Sequence, residues 1–162
     1  MAMIRMIVVT AASGQLGRLV KKEKITQDQA DQQAQELLGR IHGTTEYEGF
    51  GDVDFVIEAV PERMEIKQAV FAELDDATPG HAILASNTSS LSITEMAADL
   101  EHPERVVGFH FFNPVAVMPL LEIVKGEQTD DATLATAFAT GKALKKTSIL
   151  VNDSPSFIVN RL

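Results

Sequence analysis

The sequence predicts an α/β domain built on a largely parallel sheet with helices on both faces. Three observations carry that expectation. Short apolar, β-branched runs alternate with segments of helical pattern. Several of those runs are continuously hydrophobic, as strands covered on both sides are. The chain has 162 residues, 45% of them hydrophobic, which matches one ordinary domain with its own core.

Ile4–Thr10 is an apolar run ending at small residues and reads as a buried strand. Thr26-Gln27-Asp28-Gln29 has the spacing of a capping box, so Thr26–Ile41 reads as a polar, mostly exposed helix. Asp54–Val60 is a second buried strand. Pro61 suits the first turn of a helix that runs to about Asp76. Ala82–Ala85 is a third strand, stopped by Ser86-Asn87-Thr88-Ser89-Ser90. Ser92-Ile93-Thr94-Glu95 has capping-box spacing and opens a short helix to about Leu100. Arg105–Phe111 is a fourth strand; Leu120–Val124 and Ser148–Val151 are the fifth and sixth, joined by a helix from about Asp130 to Lys145. The link from Phe111 to Leu120 is too short for a helical crossover, so strands four and five are candidates for antiparallel pairing.

The formal net charge of -9 argues against nucleic acid or an anionic membrane surface as partner. It leaves room for an anionic cofactor, which a local loop can hold. With no cysteine, disulfide and thiolate chemistry are excluded. The apolar runs fall well short of the roughly 20 residues of a membrane span. The opening Met1–Met6 lacks the layout of a signal peptide. A cytoplasmic location is expected, and no metal site is assigned.

In open α/β sheets, ligands sit at the carboxyl ends of the strands. The polar residues there are Thr10–Gly17, Glu58 to Glu62, Ser86–Ser90, His110–Asn113 and Asn152–Ser154, expected to converge on one edge. Glu122 lies inside the apolar run "PLLEIV". A lone buried carboxylate costs several kcal/mol, so it must be paired, neutral or turned to solvent. His110 closes the preceding strand, and the short link can bring the two together. A histidine held by a carboxylate keeps one tautomer and gains basicity, as a general base requires. The plainer alternative is an edge-strand glutamate and a satisfied core histidine. The Ser86–Ser90 cluster reads equally as a turn and helix cap, and Asn113-Pro114 as a turn. Glu62 and Lys67 read most simply as first-turn and surface charges on a helix. Gly14 and Gly17 offer backbone N–H groups to a phosphate, although Ala11 stands where the usual fingerprint has its first glycine.

The strings "DFVIEAVPERMEIKQAVFAELD", "AILASNTSSLSITEMA", "ERVVGFHFFNPVAVMPLLEIVKG" and "VNDSPSFIVNRL" are more specific. Together they resemble the Rossmann-like NAD-binding domain of the 3-hydroxyacyl-CoA dehydrogenase family, from about Leu19 to Leu162. The resemblance implies NAD as cofactor, a 3-hydroxyacyl-CoA as substrate and a role in fatty acid metabolism. It implies that His110 is the catalytic base and Glu122 its carboxylate partner. Ser89 would contact both substrate and cofactor, and Asn160 would lie near the substrate oxygen. Glu62, Lys67, Asn87 and Asn113 would be cofactor-side contacts.

The sequence departs from the family pattern in several places. The first helix, second strand and acidic ribose-binding residue expected before "LVKKEKIT" have no candidate between Arg18 and Arg40. The opening "MIVVTAASGQLGR" resembles instead the start of an atypical short-chain dehydrogenase of the quinone-oxidoreductase type. Ser156 stands where the family has glycine. The family's helical C-terminal domain would begin where this sequence stops, so a homodimer or a partner chain supplying that domain is expected. Three readings follow: a hydroxyacyl-CoA dehydrogenase impaired as an isolated chain, a non-catalytic nucleotide- or CoA-binding module, and an oligomerisation fragment.

Overall fold

The computed structural model describes residues 19–157. The strand expected at Ile4–Thr10, the loop glycines Gly14 and Gly17, and Asn160 lie outside the described residues. The chain divides into two compact units, one up to Glu48 and one from Gly49.

The first unit contains α1 (Gln27–Gly39). The capping box is present in both halves. Thr26 Oγ1 accepts the amide of Gln29 at 3.2 Å, and the Gln29 side chain accepts the amide of Thr26 at 2.9 Å. Exposed pairs four residues apart, Gln27 with Asp31 and Gln32 with Glu36, run along its surface. Ala30 is its buried residue, consistent with a helix read as polar and mostly exposed. It stops at Gly39, with Arg40 as cap, rather than at Ile41.

The second unit is a five-stranded sheet in the order β1 (Phe55–Glu58), β2 (Ile83–Ser86), β3 (Val106–Phe111), β4 (Leu120–Lys125), β5 (Thr147–Asn152). All neighbours are parallel except β3 and β4, which are antiparallel as the short link between them requires. That link is clamped by the residues that open the neighbouring strand β5. Lys146 Nζ donates to the carbonyls of Val115 and Met118, and the amide of Thr147 donates to Pro119 at 2.8 Å.

Helices cover both faces. α2 (Met64–Ala77) and α3 (Ile93–Ala97) lie on one, where Phe71, Leu74, Ile93 and Met96 pack with Leu84, Val106, Val124 and Val151. α4 (Asp131–Ala143) lies on the other, where Leu134 and Ala137 meet Val107, Phe109, Leu121 and Ile123. Successive strand residues point to opposite faces, so alternate positions of β3 and β4 fill two different cores. Gly108 marks the tightest place. A Cβ there would lie 2.6 Å from the Cβ of Val124 and 3.1 Å from Cδ1 of Ile93.

Three expectations need correction. Pro61 does not open a helix: α2 starts at Met64, behind the extended N-cap Arg63. Residues 59–63 instead carry the chain past the end of β1 and turn Glu62 toward the β2–α3 loop. The helix after Ser92 is short, ending at Ala97 rather than near Leu100. Asn152–Ser154 do not join the other strand ends. Because β4 reverses direction and β5 runs parallel to it, Lys125 pairs with Asn152 at the edge opposite to His110.

Candidate active site

His110 and Glu122 are direct cross-strand partners in the antiparallel pair β3–β4. Such partners project to the same face at close range. His110 Nδ1 lies 2.8 Å from Glu122 Oε2, with His110 6% and Glu122 0% exposed. The sequence left open whether Glu122 is paired or turned to solvent; it is paired. A carboxylate on Nδ1 takes that nitrogen's proton as its hydrogen-bond donor and leaves Nε2 as the ring's acceptor. The rings of Phe112 and Phe157 stand 4.6 Å and 5.9 Å from the imidazole, centroid to centroid, and shield it from water. Phe157 follows Ser156, which adopts φ of 61°, a conformation that glycine takes without steric cost.

A second buried cluster occupies the ends of β1 and β2. Lys67 is not a surface charge. Helix α2 turns its ammonium inward, to 2.8 Å from Glu58 Oε1 and 3.3 Å from Glu62 Oε2, and its side chain is 1% exposed. Glu58, the last residue of β1, also accepts the Ser86 hydroxyl and the Val60 amide, both at 2.6 Å. Glu62 is not a first-turn helix charge either, since it precedes α2. Its Oε1 accepts the Thr88 hydroxyl at 2.6 Å, the Ser89 amide at 2.8 Å and the Ser89 hydroxyl at 3.1 Å. Burial opposes ionisation of Glu62. The hydroxyl of Thr88, the amide of Ser89, the Lys67 ammonium and the hydroxyl of Ser89 together outweigh it and hold the carboxyl below its ordinary range.

The Ser86–Ser90 segment is both a turn and part of this cluster. Thr88 Oγ1 accepts the amides of Ser90 and Leu91 at 3.3 and 3.0 Å while donating to Glu62. Asn87 ties three strands: its amide donates to the carbonyl of Glu58 at 2.8 Å, and its Oδ1 accepts the amide of Phe111 at 3.0 Å. Asn113 is exposed, at the start of the β3–β4 link, next to a cis bond to Pro114.

Glu62, Lys67, Asn87, Ser89 and His110 with Glu122 thus gather at the carboxyl ends of β1, β2 and β3. Sequence reasoning placed Glu58, Ser86 and Thr88 among the polar strand-end residues but gave none of them a role of its own. The need of Glu58 for a partner could have been read, because "DFVIEAV" buries a carboxylate as "PLLEIV" does. The individual bonds of Ser86 and Thr88 carry no such signal. At the opposite edge, Asp153 Oδ2 accepts the hydroxyls of Ser92 and Thr94 and the amide of Thr94, at 2.6 to 2.8 Å. Those bonds fasten the end of β5 to the start of α3, beside a depression lined by Thr94, Lys125, Gly126, Glu127, Asn152 and Asp153. No group of three or more metal-ligating side chains occurs among the described residues.

Residues 5–154 match the family described as "3-hydroxyacyl-CoA dehydrogenase, NAD binding domain". The chain is 46% identical over 151 residues to the fatty acid oxidation complex subunit alpha of Psychrobacter sp. and 45% identical to that of Acinetobacter baylyi. In each case it covers 93% of this chain and 20% of the relative. It therefore spans about a fifth of the length of these relatives. Among solved structures, 3-hydroxybutyryl-CoA dehydrogenase from Escherichia coli superimposes with a TM-score of 0.83 at 36% identity, over 94% of this chain and 32% of that one. (S)-3-hydroxybutyryl-CoA dehydrogenase from Ralstonia eutropha gives 0.83 at 37%, over 98% and 62%. The chain belongs to the family of 3-hydroxyacyl-CoA dehydrogenase NAD-binding domains.

Proposed function

We propose that this chain carries the nicotinamide-side and proton-abstracting machinery of an NAD-dependent 3-hydroxyacyl-CoA dehydrogenase. The buried His110–Glu122 pair at 2.8 Å is the observation that carries this reading. In the reaction, the hydrogen on C3 leaves as hydride and the 3-hydroxyl loses its proton, giving a 3-oxoacyl-CoA. NAD supplies the hydride acceptor. His110 Nε2 takes the hydroxyl proton, and Glu122 holds the ring in the required tautomer and stabilises the imidazolium that forms. Removing a positioned base of this kind costs about 100- to 10,000-fold in rate.

The polar cluster suits the nicotinamide end of the cofactor. Glu62 is partly exposed and ionised, while Lys67 and the Ser86–Ser90 turn are fixed beside it. In this reading Glu62, Lys67, Asn87, Ser89 and Asn113 make cofactor-side contacts, with Ser89 also facing the substrate hydroxyl and Asn160 near its oxygen. Gly14 and Gly17 serve the pyrophosphate. A helical domain, in a second copy or in a partner chain, completes the acyl-CoA site and the positioning of hydride donor against acceptor. The relatives' naming as subunits of a complex supports a partner. A cytoplasmic location goes with this activity; no described helix is long and apolar enough to cross a membrane.

Calorimetric titration with NADH, followed by absorbance at the NADH band with NAD and 3-hydroxybutyryl-CoA, tests the proposal. Binding with turnover, restored or enhanced by the helical domain in trans, is expected. NADH binding with no turnover under any of these conditions would leave a binding module. No heat with NADH would remove the cofactor role altogether.

A further inference from the structure

Glu58 is a buried carboxylate that nothing in the proposed chemistry uses. Its side chain is 1% exposed. Both its oxygens are nevertheless committed. Oε1 accepts the Val60 amide at 2.6 Å and Lys67 Nζ at 2.8 Å; Oε2 accepts the Ser86 hydroxyl at 2.6 Å and Lys67 Nζ at 3.1 Å. Lys67 also donates to the Val60 carbonyl at 3.3 Å, so most of its contacts belong to the end of β1. Its one remaining partner among the described residues is Glu62 Oε2, at 3.3 Å. The other oxygen of Glu62 collects the Ser89 amide and the hydroxyls of Thr88 and Ser89. A continuous line of charge-assisted contacts therefore runs from the closed interior to the Ser89 turn.

Taken alone, two carboxylates around one ammonium are an expensive way to fill a core. A buried ion pair replaced by apolar side chains is often as stable or more so. Geometry accounts for it better. A lysine held by Glu62 only would follow that partly exposed side chain toward solvent. A lysine anchored at the rigid end of β1 makes Glu62 come to it, and Glu62 then brings Ser89.

We infer that Glu58 is a positioning residue of the candidate active site: through Lys67 and Glu62 it sets the orientation of the Ser89 turn. That the turn serves the nicotinamide side rests on the proposed function; the mechanical link does not. Glu58→Gln is nearly isosteric: its one carbonyl oxygen still accepts the Val60 amide, its NH2 group faces the Ser86 hydroxyl, which can turn to accept, and the charge that holds Lys67 is gone.

The test reads the link first and the cofactor second. In an amide NMR spectrum of the full chain, the Ser89 resonance reports its hydrogen bond to Glu62. In Glu58→Gln it moves upfield and its amide exchanges faster with solvent, while Ala137, on the other face of the sheet, keeps its resonance. The Kd for NADH rises by roughly 10-fold or more, as expected for losing one charge-assisted contact. Should Glu58→Gln fail to fold, Glu58→Gln/Lys67→Gln leaves no unpaired ammonium in the buried pocket, and the same Ser89 displacement is expected. A Ser89 resonance unchanged in the folded variant overturns the inference, because a purely structural Glu58 would lower melting temperature and nothing else. A shifted Ser89 with unchanged NADH affinity also overturns its role at the cofactor. If the wild-type chain binds no NADH, the proposed function fails, and the Ser89 resonance still decides the link.

Discussion

A buried polar side chain constrains its neighbours more tightly than an apolar one, because its partners must sit within hydrogen-bond range. Glu122 shows this most plainly. Fully buried between two strands, it fixes the ring of His110 through one contact of 2.8 Å. Glu122→Gln keeps the shape but removes the negative charge that stabilises an imidazolium. Turnover measured with NAD and 3-hydroxybutyryl-CoA should fall by about 100-fold or more, with the KM for NAD little changed. His110→Gln should lose as much, and the double variant should lose no more than the worse single one, since the two act as a unit. Additive losses would mean that the pair does not share one step.

The elements matter here as rigid carriers of side chains. β3 and β4 put His110 opposite Glu122 only because their register aligns Gly108 with Val124 two residues further along. Gly108 is where the strands, α3 and the core meet with no room for a methyl group. Gly108→Ala should cost about 1–3 kcal/mol through overpacking, read as a lower midpoint in urea with unchanged slope. A neutral result would show that Val124 and Ile93 can give way. The Lys146 clamp belongs to this scale as well. Its ammonium gathers the carbonyls of the β3–β4 link and lies 5.9 Å from the Phe111 ring centroid. Lys146→Met should loosen that link, seen as faster hydrogen exchange at Val117 and Met118, whose amides donate to Pro114.

Across the molecule, ion pairs and carboxylate caps hold the periphery of the sheet while apolar side chains fill its two faces. Arg105 is 3% exposed and bonds Asp75 at 2.6 Å, along with the carbonyls of Asp75, Pro79 and Ala82, tying α2 to the start of β2 and β3. Burial works against ionisation of Asp75. The Arg105 hydrogen bond, the amides of Glu101 and His102, and the Arg105 charge outweigh it and hold the carboxyl below its ordinary value of 3.8. Asp153 is likewise held low. Burial opposes ionisation there too, and is outweighed by Thr94 through hydroxyl and amide, the Ser92 hydroxyl and the amide of Ile93. A carboxylate whose folded value is lowered contributes stability that is fully present above its unfolded value and is lost as pH falls through the folded one. Melting temperature should therefore hold at neutral pH and drop as pH falls below the ordinary values of 3.8 for aspartate and 4.5 for glutamate. Asp75→Asn should cost about 3 kcal/mol or more at neutral pH by leaving Arg105 buried without its counter-charge. It should also flatten the acid limb of the curve. Parallel curves for variant and wild type would show that this pair contributes nothing to acid unfolding.

By itself the sequence determined the alternation of strands and helices, a β3–β4 link too short for a helical crossover, the caps Thr26 and Ser92, and the rule that Glu122 be paired, neutral or turned to solvent. All of these follow from local pattern: side-chain period, loop length, capping spacing and the cost of burying a lone charge. Only the tertiary structure decided that Lys67 faces inward and Glu62 turns to meet it, that Glu58 anchors Lys67, and that Asn152–Ser154 emerge at the far edge from His110. The direction in which a helix turns its charged face, and the edge at which a strand ends, depend on what packs against them. A surface lysine and a lysine locked between two carboxylates have the same letters around them in the chain. They differ in their partners, here carboxylates five and nine residues back along the chain, brought close by the turn between β1 and α2.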